Sequence, residues 1–412
     1  MAVSVKVGTF ATGTGTTTVE INDVGFQPNA VLVFSVYRGV AGSGSADFNF
    51  AGGFSASNGD LGISAHGEDA AATTDTSAGR HTTASVVALA QDATLAWDGE
   101  AQITLTADGF DVTISNAFST DVTYIYLALG GDVSDAAVAT GTVPASTGVE
   151  SGSISGLSFQ PKAALFLMAP ASAAGTSTTA TALFMLGCST GPSNNWVVCG
   201  RSGDAAAATD SLGYGFSGEC IALGNATGTV IRARVDSFDA DGLNLNWLEV
   251  AAAGSQYVAI CLGGAAAFLA GTFNSRTDAT QTAVATSGVN PKAVLLASAM
   301  RAGSTQDTTT DDAAISVGVA TSSTARYAVA ATDDDAADPS ECWTDYRTDA
   351  VYIRGDFADA EAGLMDIAEL GAGIGQFEFI MDDTDPDAAA VFYLAIGDPG
   401  GVTPIIYEFA VG

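Results

Sequence analysis

Positive charge is what this chain has least of. Only 13 Lys and Arg stand against 46 Asp and Glu, a formal net charge of −33 over 412 residues, and lysine occurs only at Lys6, Lys162 and Lys292. Phosphate recognition needs clustered cations, so the composition argues against nucleic acid as a partner and equally against an anionic membrane surface. An acidic surface repels itself and keeps a protein soluble. It also fits a salty setting, in which added ions screen that repulsion. Histidine is nearly absent, with His66 and His81 alone. No apolar run approaches the roughly 18 residues of a bilayer span, so no membrane insertion is expected. Met1-Ala2-Val3-Ser4-Val5-Lys6 enters a strand-like pattern without a basic then apolar leader, so no signal peptide is expected.

Cysteine is scarce and uneven. Cys188, Cys199, Cys220 and Cys261 fall in the middle third, Cys342 in the last, and none in the first. A disulfide framework is therefore not expected. Cys188 and Cys261 lie in apolar strand-like runs and read as small buried hydrophobes. A Cys199–Cys220 bridge stays open, without a counterpart elsewhere. Helical periodicity is confined to one stretch, Asp359 to Leu370. No GxSxG elbow, HExxH helix, Walker loop or CxxC pair occurs. Gly42-Ser43-Gly44-Ser45 is loop material and lacks the strand–turn–helix setting of a dinucleotide site.

What is present is a threefold repeat. Gly8-Thr9-Phe10 returns as Gly141-Thr142-Val143 and Gly271-Thr272-Phe273. Pro28-Asn29-Ala30-Val31-Leu32 returns as Pro161-Lys162-Ala163-Ala164-Leu165 and Pro291-Lys292-Ala293-Val294-Leu295. Tyr126-Leu127-Ala128-Leu129-Gly130 returns as Ala259-Ile260-Cys261-Leu262-Gly263 and Tyr393-Leu394-Ala395-Ile396-Gly397. The first offset is 133 at all three landmarks and the second is 130, 130 and 134, so insertions lie inside the unit. Units of this length are whole domains rather than solenoid rungs. The expected domains are 1–132, 133–265 and 266–412. A unit of that size can bury a core without staples.

Within the unit, Thr16 to Ile21 alternates and reads as a half-buried strand. Ala30 to Phe34 is continuously apolar, as a core strand is, and a polar Gly/Ser/Thr loop follows. A further strand centres on a shared glycine, Gly53, Gly187 or Gly318. Then come the acidic, Ala-rich stretches Asp69 to Asp75, Asp204 to Asp210 and Asp333 to Asp338, which read as exposed loops. Asp108-Gly109 and Asp241-Gly242 mark hairpin turns. In copy one the return strand is placed at Tyr124 to Leu129. Short strands with almost no helix give an all-β fold of three tandem antiparallel β-sandwiches, jelly-roll-like in character. Thr403 to Val411 is expected to add one strand after copy three.

No constellation of nucleophile, base and acid stands out. His66 and His81 read as exposed loop residues, and no catalytic or cofactor-binding residue is named. Calcium is the ion the acidic loops suggest, through Asp333-Asp334-Asp335 or Asp382-Asp383-Thr384-Asp385-Pro386-Asp387. Neither run has EF-hand or nonapeptide spacing, so no ligands are assigned. Trp196, Trp247 and Trp343 fit core packing better than a sugar platform.

The landmarks have a familiar order. Phe26-Gln27-Pro28-Asn29-Ala30-Val31-Leu32, then Asp108-Gly109-Phe110, then Tyr126-Leu127-Ala128-Leu129-Gly130-Gly131 resembles a β-rich module of structural proteins from tailed phages and archaeal viruses. Copy two matches at Phe159-Gln160-Pro161-Lys162-Ala163 and at Asp241-Gly242-Leu243-Asn244-Leu245-Asn246-Trp247; copy three departs at the hairpin. The resemblance implies a virion protein with no catalytic residues, contacting other virion proteins or copies of itself as a capsid decoration or tail component. The competing expectation is a receptor- or glycan-binding adhesin, a tail fibre or a cell-surface layer protein, located outside the cell and meeting a host-surface glycan. An enzyme would need a site unique to one copy, and copy one holds both histidines.

Overall fold

The computed structural model describes residues 2–37, 39–42, 47–89, 95–169, 176–225, 228–251, 254–303, 307, 309–355, 361–371 and 375–400. Thr403 to Val411 and most of Gly42 to Ser45 lie outside the described residues. Six antiparallel sheets pair into three β-sandwiches, with no α-helix among the described residues. Copy one shows the pattern through ten strands: β1 (Val3–Ala11), β2 (Thr18–Ile21), β3 (Ala30–Ser35), β4 (Phe48–Ala56), β5 (Gly59–Gly67), β6 (Thr76–His81), β7 (Val86–Leu89), β8 (Trp97–Leu105), β9 (Phe110–Asn116) and β10 (Thr123–Gly131). The large sheet runs β1-β10-β3-β4-β5-β6 and the small one β2-β9-β8-β7. Copies two and three repeat this order with their own strands.

Each large sheet is buried on both faces, and this explains the continuous apolar runs. In β3, Val31 and Val33 face the small sheet of their own sandwich. Ala30, Leu32 and Phe34 face the opposite way, into a core shared with copies two and three. Leu165 and Leu167 of copy two enter that shared core, while Ala164, Phe166 and Met168 fill their own sandwich. Leu295 and Ala297 do the same in copy three. Rings meet across copies: Phe184 stacks on Phe48 at 5.1 Å, and Trp196 stacks on Phe392 at 6.0 Å. The three large sheets thus surround one central core, with the small sheets outside.

The repeat landmarks are places of close approach. Gly8, Gly141 and Gly271 each pair with a closing-strand tyrosine, Tyr126, Tyr257 or Tyr393, whose ring covers the glycine. A Cβ on these glycines would stand 2.1–2.5 Å from the phenol oxygen. The Asp-Gly turns pack on the ends of the outer strands, where a Cβ at Gly109 would lie 1.7 Å from the Ile21 carbonyl oxygen.

Three expectations change. Asp108-Gly109 joins β8 to β9, with Leu105 opposite Phe110; the following strand, β10, crosses to the large sheet and pairs with β1 and β3. Of the helix-like stretch Asp359 to Leu370, the first two residues lie outside the described residues and the rest is a strand, Glu361–Leu370, paired with Gln376–Asp383. Its helical spacing gives way to strand pairing because Leu364, Met365 and Ile367 enter the copy-three core. The polar segment after the core strand is not wholly loop. In copies two and three it contributes the short strands Ser177–Thr179 and Thr309–Asp311, which add to the large sheet of the preceding copy.

Candidate functional site

The three copies are linked cyclically, and the linkage is densest where the acidic loops meet. Thr74 of copy one exchanges backbone hydrogen bonds with copy two: its N–H donates to Ala206 O, and Ala205 N–H donates to its carbonyl. Thr209 does the same with Ala337 and Ala336 of copy three. Ser340 closes the circle on Ala71 and Ala70 of copy one. The hydroxyls follow suit, donating to the carbonyls of Gly203, Asp334 and Glu68. One carboxylate per loop accepts from the neighbouring copy: Asp204 from Thr76 N, Asp335 from Ser211 N and Asp69 from Cys342 N, at 2.8–3.1 Å. Ala70, Ala205 and Ala336 all hold left-handed backbone, with φ of 54°, 56° and 58°. That conformation costs a non-glycine residue about 1–2 kcal/mol and persists where surrounding bonds over-determine it.

The acidic stretches are therefore not simply solvated loops. Their outward alanines are exposed, but Thr74, Thr209 and Ser340 are buried. The reason is not visible in one copy's sequence, since each loop's partners lie in another copy, 124 to 132 residues away for two of the links and 269 to 273 for the link that closes the ring.

Beneath this ring, the shared core ends in polar residues. Gly67, Ser202 and Asp333 occupy matching places, paired across their strands with Thr76, Ser211 and Cys342. All six are buried. Burial pushes the Asp333 carboxyl up to about 6, against the pull of the Ser202, Ser211 and Cys342 side chains. Asp334, half in solvent, is pushed up to about 7 by desolvation and by Asp312.

At other points the copies part enough to leave clefts. One of about 520 Å³ lies between copies one and two, lined by Asn58, Asp60, Arg80, Thr82, Thr140 and Gln256. Asn58 spans the boundary beside it, with its amide bonded to both the N–H and the carbonyl of Val138. A cleft of about 290 Å³ sits at the corresponding boundary of copies two and three, against Trp196, Ser217, Thr272 and Phe392.

Compared with protein-family models and with curated proteins, this sequence matches none.

The histidines are not exposed loop residues. His66 lies in β5 at 1% exposure, its Nδ1 3.2 Å from Asn49 Oδ1. His81 ends β6, with Nε2 3.4 Å from Glu100, and its ring is edge-on to Trp97. Burial pulls the His81 imidazole below its ordinary range while Glu100 pulls it up. Their glycine-rich surroundings read as loop, yet those glycines are strand positions. A Cβ at Gly79 would stand 2.8 Å from the Trp97 ring, so the glycine is there to admit the indole. The structure does not bring the two histidines to one cleft: His66 pairs within the sheet and His81 with the small sheet.

All five cysteines are buried free thiols, so Cys199 and Cys220 are not bridged. Burial raises every one of them, Cys261 to about 12. A thiol held protonated is a poor nucleophile or metal ligand. Trp196, Trp247 and Trp343 are core residues. Among the described residues no group of three or more His, Cys, Asp or Glu is placed to hold a metal ion. Asp333 is buried, and Asp335 is spent on Ser211 N.

Asp385 belongs to a buried network peculiar to copy three. Its carboxylate accepts from Ser275 Oγ at 2.6 Å and Tyr352 Oη at 2.9 Å, with Arg354 Nε 3.7 Å away. Arg354 also holds Asp387 at 2.6 Å. Asp385→Ala leaves the Ser275 and Tyr352 hydroxyls and the Asp387 and Ala389 N–H groups without their buried acceptor and removes one of the two carboxylates beside Arg354, so it is expected to destabilise the chain by about 3–5 kcal/mol. Urea unfolding monitored by tryptophan fluorescence checks this; a loss below about 1 kcal/mol would mean the network is relaxed by solvent.

Proposed function

We propose that this chain is a non-enzymatic structural protein of a virus particle, displaying three linked β-modules on the virion surface as a capsid decoration or tail component. The observation that carries the reading is the closed three-copy ring with one shared core. One chain builds what three identical subunits would otherwise build, and such an object suits a seat with three-fold character. Sequence divergence among the copies lets each meet a different neighbour. The virion-module motifs agree, because their glycines and aromatics are the positions that fix this architecture. The polar clefts between copies favour a second reading, an adhesin that takes a host-surface glycan there.

Immunogold electron microscopy with antibody to the chain, on intact particles and cells of its source, tests both. Gold over the viral head supports a decoration protein. Gold at the tail tip favours the adhesin and justifies a glycan screen. Gold confined to cell envelopes sinks the virion reading. The net charge of −33 adds an expectation on stability. The melting temperature should rise from low to molar NaCl as repulsion is screened. A melt indifferent to salt would count against adaptation to a salty setting.

A further inference from the structure

The polar end of the shared core gathers three buried oxygen atoms, one from a carboxylate and two from hydroxyls. Asp333 Oδ2, Ser202 Oγ and Ser211 Oγ are each inaccessible to solvent and lack a hydrogen bond among the described residues. Asp333 is 1% exposed, Ser202 2% and Ser211 0%. The two hydroxyls lie near enough to the carboxyl to favour its charged form, but none of the three oxygens completes a hydrogen bond of ordinary geometry. Copy one places no side chain at the place matching Asp333. Its matching residue is Gly67, and a Cβ there would lie 4.0 Å from Asp333 Oδ2. Thr76, the other copy-one neighbour, is already engaged with the Ala180 and Ser202 carbonyls.

Buried polar atoms without partners call for a bound water or ion. The charges discriminate between the two. Asp333 forms no ion pair among the described residues, and the charged group that most affects it is another carboxylate, Asp312. Arg301, the nearby cation, is paired with Asp312 at 3.1 Å. A bridging water would satisfy the hydroxyls and leave the carboxylate uncompensated, which is the costly arrangement. A calcium ion asks for several carboxylates and six to eight oxygens. One carboxylate with neutral hydroxyls matches a single positive charge instead.

We propose that this cluster binds one alkali-metal cation, through Asp333 Oδ2, Ser202 Oγ and Ser211 Oγ, at the point where the three copies converge. A chain in a salty medium meets sodium at concentrations that fill even a weak site. The bound ion joins copy two to copy three beneath the loop ring, so it stabilises the closed ring by mass action.

Two measurements on the full chain test this. The first is thermal unfolding in NaCl and in choline chloride at equal ionic strength, which holds surface screening constant. The expected result is a melting temperature several degrees lower in choline for the native chain, and no difference between the two salts for Asp333→Asn or for Ser202→Ala/Ser211→Ala. Equal melting of the native chain in both salts overturns the proposal. The second, which does not depend on any variant folding, is anomalous diffraction from native crystals grown in RbCl. A rubidium peak within coordination distance of Asp333 Oδ2 supports the site. A bridging water there without an anomalous signal overturns it, as does a melt that depends on micromolar calcium and is abolished by EGTA.

Discussion

Gly187→Ala is expected to leave little or no soluble folded protein. Gly187 sits mid-strand in copy two, where the large sheet passes over the chain at Cys220. An added Cβ would stand 1.9 Å from the Cys220 carbonyl oxygen and 2.8 Å from its carbon. The obstacle is backbone, so no rotamer change relieves it. Interiors are close-packed, so the two sheets of the sandwich would have to part by about 1 Å or more along their whole contact. Substitutions of this kind belong with the largest single-residue effects, above about 4 kcal/mol. Gly53 and Gly318 meet the same obstacle at 1.8 Å, from Ser85 O and Val351 O, so either alanine should behave alike. Gly15 provides the contrast: its nearest neighbour would be 3.8 Å away. Gly15→Ala should be neutral or stabilising, by up to about 1 kcal/mol. Soluble yield and urea midpoints of the four variants decide. A Gly187→Ala chain that unfolds at the native midpoint would mean the sheets separate without cost.

Residues 133–265 expressed alone are expected not to give a folded monomer. Within the whole chain, copy two buries Leu165, Leu167, Phe184, Leu186, Trp196, Val198, Val258, Ile260 and Leu262 against the other copies. Cutting the chain returns this face to water. A large apolar side chain re-exposed loses about 1.5–3 kcal/mol. A handful of them exceeds the roughly 5–15 kcal/mol by which a domain is stable. The fragment also loses partners for Thr209, Ser211 and Ala205 in the loop ring. The expected outcome is aggregation, or association into trimers that rebuild the core from identical copies. Light scattering after size exclusion, with a hydrophobic dye as a second readout, tells these apart from a monomer. A monodisperse, dye-silent, cooperatively melting monomer would show that each sandwich stands on its own core.

The periodicity of the landmarks established three copies. The β-branched and apolar runs established strands, and Ala30 to Phe34 was legible as core because every residue in it is apolar. The shared glycines were legible as fixed points, although their reason, a facing carbonyl or a covering tyrosine, was not. The side chains of a strand show which faces are apolar but not what covers them. The second apolar face of each large sheet therefore looked like ordinary core, and it is the interface of three copies. His66 and His81 looked exposed because glycine neighbours resemble loop, while in a packed sheet the same glycines admit a neighbour's ring. The helix-like stretch now seen as Glu361–Leu370 was decided by pairing and burial, which outweigh a weak local preference. The polar cluster at Asp333 had no local signal at all. Gly67, Ser202 and Asp333 are unlike in chemistry and stand 135 and 131 residues apart, and only closure of the ring brings them face to face.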